Sequence, residues 1–106
     1  MAQPGEPRVW TLLVQVGRAD GDGLPDGATG AALLCYASGR SEKNAVDETV
    51  AVLRQAELAP LEVESLGTLE ERRAAGDEIG DEDLALMRRA LDENAVIVAQ
   101  VETFSD

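Results

Sequence analysis

The chain has 106 residues, 44% of them apolar, which is enough for one domain with one core and too few for two. It carries 21 acidic and 9 basic residues, a formal net charge of −12. A surface of that sign repels nucleic acid and anionic membranes, and it suits a basic protein, a cation or plain solvation.

Residues 1–7 hold two prolines and a glycine and read as a loose leader, leaving residues 8–106 as the folded domain. There is no basic segment followed by a long apolar run, and no stretch is long enough to span a bilayer. Lys43 is the only lysine, and this arginine bias is the mark of a GC-rich genome. A cytoplasmic bacterial protein is the expectation.

The first strand is predicted over Arg8–Val16. Trp10, Leu12, Val14 and Val16 fall on one face and must meet the core. Val9, Thr11, Leu13 and Gln15 fall on the other, which is only half polar. Residues 17–30 are a loop, because their glycines, proline and aspartates sustain neither helix nor strand. A second strand, Ala31–Ser38, is apolar on both faces. Gly39 and Arg40 interrupt it, and Ser41 is placed to cap a helix.

That helix is predicted over Glu42–Leu58. Val46, Val50, Leu53 and Ala56 form its apolar stripe, and Pro60 bounds it. Leu61–Leu69 alternates as a third strand with Glu62 and Glu64 outward. The phase slips at Ser65–Gly67, which predicts a bulge there. Glu70–Gly80 reads as a connection. Asp81 is read as the cap of a second helix, with Leu84, Met87, Ala90 and Leu91 toward the core and Asn94 as its stop. The last strand, Ala95–Phe104, opens with five apolar residues and then alternates.

The order β-β-α-β-α-β predicts an α+β fold, a two-layer α/β sandwich. It has a four-stranded mixed sheet with two helices on one face and is ferredoxin-like in general architecture, though the usual ferredoxin-like order is β-α-β-β-α-β. Right-handed crossovers would make the second, third and fourth strands parallel. The uncovered face would then be apolar enough to pair with a second copy.

Candidate chemistry is sparse. The segment Asp20–Asp26 is rich in carboxylates but fails calcium-loop spacing, with Leu24 at a ligand position, and reads as a turn. Histidine is absent, so Cys–His and Ser–His–Asp catalysis and His-ligated zinc are excluded. Cys35 is the only cysteine and reads as a small core residue. Arg40 and Ser41 at the helix start, with Tyr36 nearby, are the candidate ligand-binding residues, in the mode of a small anion at a helix N-terminus. Thr11, Leu13 and Gln15 on the open face, with Asp81 and Glu82, are the candidate partner surface. No metal or cofactor is expected. The functional expectation is a non-catalytic protein-binding or regulatory module that acts as a homodimer and engages a basic protein partner. The alternative is a small-molecule-binding domain or small enzyme with a pocket between sheet and helix or at the dimer interface.

Overall fold

The computed structural model describes residues 6–105, so most of the expected leader lies outside the described residues. The elements are β1 (Arg8–Gly17), β2 (Ala28–Gly39), α1 (Glu42–Gln55), β3 (Ala59–Thr68), α2 (Leu69–Ala74), α3 (Asp81–Glu93) and β4 (Val96–Ser105). The fold is α+β, as expected, with a sheet of four strands in the order β3-β1-β2-β4.

Every neighbouring pair in the sheet is antiparallel, which corrects the expected mixed sheet. The physical reason lies in the two crossovers. α1 is a single helix that carries the chain from the end where β2 stops to the opposite end where β3 begins. β3 therefore runs parallel to β2, with β1 between them. The chain from β3 to β4 instead contains two helices, α2 and α3, and starts and finishes at one end of the sheet: Thr68 lies opposite Trp10, and Val96 opposite Ala37. An out-and-back excursion returns the chain antiparallel.

The helices also lie on both faces of the sheet, which corrects the two-layer arrangement. On one face α1 supplies Ala45 and Leu53 to a core with Leu12, Val14, Val16, Ala31, Leu33, Cys35 and Ala37. On the other, α3 supplies Met87 and Ala90 to a second core with Val9 and Tyr36, joined by Leu69 of α2. The alternation expected in β1 is therefore right, and both of its faces are used. Each fully buried Leu or Val contributes roughly 1.5–3 kcal/mol.

Local signals account for the ends of the elements. Ser41 Oγ accepts from Asn44 N–H (3.1 Å), as expected of an N-cap. Asn94 closes α3 in the left-handed conformation, also as expected. The N-cap of α3 is Gly80 rather than Asp81. The bulge expected near Gly67 is present, and a second register shift lies between Gln15 and Val16. The unexpected element is α2. Thr68 Oγ1 accepts from Glu71 N–H (3.2 Å), and Glu71 accepts from Thr68 N–H (3.0 Å), a reciprocal capping box.

The strands outrun the helices. β2 has twelve residues, about 40 Å at 3.4 Å per residue. α3 is joined to β4 by a tight turn at Asn94–Ala95 and runs back over β2 and β4, so it covers only the half of its face nearest that turn. Beyond Tyr36 the face is open: Leu13, Ala32 and Leu34 are half-buried, and Gln15, Glu62, Glu64, Gln100 and Glu102 are exposed.

Candidate functional site

Two surfaces merit a functional reading: a cleft at the end of the sheet where β2 meets α1, and the open half of the face that carries α2 and α3.

The cleft has a volume of about 430 Å³ and is walled by Ser38, Arg40, Asn44, Glu48, Asn94 and, among apolar residues, Val52 and Leu91. Of the three residues expected to bind a ligand, only Arg40 lines it. Ser41 Oγ accepts from Asn44 N–H as the α1 cap, and Asn44 Oδ1 accepts from Arg40 N–H (3.1 Å), so these two donors at the helix start already have partners within the protein. Tyr36 is 1% exposed and out of reach of a ligand. The expected triad therefore does not assemble.

Tyr36 belongs instead to a polar layer under α2 and α3. Its hydroxyl donates to Asp83 Oδ1 (2.7 Å). Arg72 Nη1 donates to Thr11 Oγ1 (3.1 Å), and Arg72 Nε donates to Asp77 (3.1 Å). Burial, and then its donation to the Asp83 carboxylate, push the Tyr36 phenol up to about 12. These bonds pin two helices to two strands. They also remove Thr11 from the expected partner surface, because Thr11 is fully buried with α2 above it. A polar strand residue need not face water when a helix brings it a partner.

The other expected partner residues fare differently. Leu13 and Gln15 do lie on the open half, where they line a shallow depression of about 210 Å³ with Glu62, Val63 and Glu64. Asp81 and Glu82 sit in the exposed first turn of α3. Asp83 in the same turn bonds Tyr36, the last covered position on β2, so this acidic turn is the end of α3 nearest the open half. The sequence also implies one alternating set from Ala31–Ser38 and one from Val96–Phe104 on this face, and the register identifies their members as Ala32 and Leu34 and as Gln100 and Glu102. Their alternation placed them on one face, and nothing in the sequence said where the helices stop.

The open half has a definite chemistry. Leu13 and Leu34 are adjacent on the two central strands, paired in register. Glu64 and Glu62 flank them on β3, opposite Leu13 and Gln15. Gln100 and Glu102 flank them on β4, opposite Leu34 and Ala32. An apolar centre with a charged border is the usual anatomy of a protein interface.

The remaining candidates are accounted for within the fold. No group of three or more His, Cys, Asp or Glu able to hold a metal occurs among the described residues. In the Asp20–Asp26 segment, the Asp22 carboxylate accepts from Ala19 N–H (2.8 Å), Leu24 N–H (3.0 Å) and Arg18 Nε (3.0 Å). These bonds, Ala19 first and then Arg18 and Leu24, lower its pKa to about 2. Cys35 is fully buried, as expected of a core residue, and burial pushes its thiol up to about 12. That leaves it without thiolate character near neutral pH.

Residues 9–105 match the model of a family described as a domain of unknown function, DUF8846. The chain belongs to this family. The match spans β1 through β4, so the open half and the cleft both lie within the family's domain. Comparison with curated proteins and with solved structures gave no match. No helix among the described residues is long and apolar enough to cross a membrane.

Proposed function

We propose that this chain is a non-catalytic binding module of the cytoplasm that holds a basic protein partner against the open half of its sheet. The observation that carries this reading is the arrangement of Leu13 and Leu34 between Glu62 and Glu64 on one side and Glu102 on the other. The net charge of −12 draws a cationic partner toward the molecule, and the apolar pair supplies contact area once it arrives. Near neutral pH the surface offers no activated nucleophile from Cys35, and its carboxylates serve as a charged border.

The test is capture from host lysate on the immobilised chain. Wild type is compared with the triple variant Glu62→Gln, Glu64→Gln, Glu102→Gln and with an equally charged control, Glu6→Gln, Glu48→Gln, Asp92→Asn. The reading predicts a basic protein retained at low salt and released at high salt. It is lost from the first variant and kept by the control. Equal loss from both would mean that only overall charge matters, and retention by both would refute the assignment of the face.

The end cleft favours a second reading, a small-ligand site, on the observation that Arg40 and two asparagines line one concavity. A thermal-shift screen of small carboxylates and phosphates, repeated on Arg40→Gln, tests it. Stabilisation of wild type alone is the supporting result.

A further inference from the structure

The end cleft is lined in an order that runs along one helix. Asn44, Glu48 and Val52 of α1 are four residues apart, share one face and all line the cleft. Neighbours in such a row stand about 5–6 Å apart, so one small molecule can meet all three. Arg40 lies just before the helix, beyond Asn44, whose Oδ1 accepts from its N–H (3.1 Å). The row therefore runs from cation and amide to carboxylate to hydrocarbon. Leu91 of α3 lines the cleft with Val52. Val52 is 37% exposed and Leu91 38%, so each has apolar surface left for a ligand to cover.

The polar groups of the cleft are not used up by the fold. Among the described residues neither Arg40 nor Glu48 takes part in an ion pair, with each other or with any other residue. Ser38 stands in the cleft wall two residues before Arg40 and is 5% exposed, and its hydroxyl has no hydrogen-bond partner among those residues. A buried hydroxyl left unpaired is costly, and in the wall of a concavity it points to a partner from outside the chain. The volume of about 430 Å³ falls within the range of small-molecule sites.

We infer that the cleft binds a free α-amino acid with an apolar side chain. The inference rests on the small-ligand reading of the cleft and supplies the class of ligand. Arg40 takes the carboxylate, with the Asn44 amide and the Ser38 hydroxyl as further donors. Glu48, one turn along, takes the ammonium group. Val52 and Leu91 cover the side chain. The charges select this class by exclusion. A simple anion meets Arg40 but is repelled by Glu48, and the net charge of −12 works against it from a distance. A simple amine meets Glu48 but is repelled by Arg40. A zwitterion satisfies both and, being neutral overall, feels no net repulsion from the acidic chain. The N-terminus of a peptide does not fit, because an amide stands where the carboxylate is needed.

The experiment is isothermal titration calorimetry of the full chain with L-leucine and L-phenylalanine. Three analogues each lack one feature: leucinamide the carboxylate, 4-methylpentanoate the ammonium group, and glycine the side chain. The inference predicts that one or both amino acids bind about tenfold or more tighter than any analogue, since each analogue loses a charged hydrogen bond or the apolar contact. Arg40→Gln and Glu48→Gln change exposed residues, and a thermal melt checks their folding. Each should weaken amino-acid binding about tenfold. Glu48→Gln should also strengthen 4-methylpentanoate, a gain that a merely structural role would not give. Wild-type binding of 4-methylpentanoate or leucinamide as tight as that of the amino acids overturns the inference and leaves a site for a simple anion or a simple amine. Failure of both amino acids overturns it as well. The small-ligand reading then stands only if the screen of carboxylates and phosphates still finds an Arg40-dependent ligand, so the two fail separately.

Discussion

Gly39→Ala is predicted to loosen the packing of α1 on the sheet. A Cβ built on Gly39 would lie 2.8 Å from Ala45 N, 2.8 Å from Ala45 Cβ and 2.9 Å from Ala45 Cα. Two of these three neighbours are main chain, so no side-chain rotation relieves them. α1 would have to move away by several tenths of an ångström, and it is held by buried Ala45, Thr49 and Leu53. Overpacking of this kind costs about 1–3 kcal/mol, and the main-chain contacts place Gly39→Ala in the upper part of that range. For a domain near this size each kcal/mol shifts the midpoint by about 4–8 °C, so a drop of about 8–20 °C is expected. The assay is thermal unfolding followed by circular dichroism. Ala45→Gly in the Gly39→Ala background should not restore the midpoint, since the main-chain contacts persist. A Gly39→Ala midpoint within about 2 °C of wild type, under a cost of about 0.5 kcal/mol, would refute the reasoning.

Other substitutions and titrations probe the rest of the fold. Gly80 caps α3 with no side-chain hydrogen bond, so Gly80→Ser should stabilise the chain by a few tenths of a kcal/mol in urea denaturation. Tyr36→Phe removes the donor to Asp83 and should cost about 1 kcal/mol or slightly more. Because the Tyr36 pKa is raised in the folded state, its contribution is complete below pH 10 and is lost as pH rises toward 12. Absorbance titration should therefore show no tyrosinate signal at pH 10.5 until the chain unfolds. Asp22 has a lowered pKa, so its contribution is complete above about pH 4 and is lost as pH falls toward 2. A carboxyl titration midpoint for Asp22 close to that of an ordinary aspartate would contradict the bonds assigned to it.

The strands and the two longer helices were legible because their side-chain periods are unambiguous: the apolar set of β1 and the stripes of α1 and α3 can be buried in only one way. The bulge at Gly67 was legible for the same reason, as a broken period. The side of the sheet each helix takes was not, since an apolar stripe packs equally well on either face. The short helix α2 has too few residues to show a stripe, yet Thr68-Leu69-Glu70-Glu71 is a capping-box pattern, and that signal was present. Missing α2 had consequences. Without it the chain from β3 to β4 looked like one crossover, the sheet looked mixed, and Thr11 looked exposed because its partner Arg72 had no place in the fold. Glu62 and Glu64 were read correctly as outward. The chemistry of the open half was hidden, because it depends on how far α3 reaches over the strands, a matter of helix length against strand length in three dimensions.

The most direct test of the binding role is an amide NMR footprint of the basic protein retained from lysate, titrated onto the labelled chain at low salt. The account predicts that the largest perturbations fall on Leu13, Gln15, Ala32, Leu34, Glu62, Glu64, Gln100 and Glu102, and disappear at high salt. Perturbations spread evenly over the acidic residues of α1, α2 and α3, with the open half of the sheet unchanged, would contradict it.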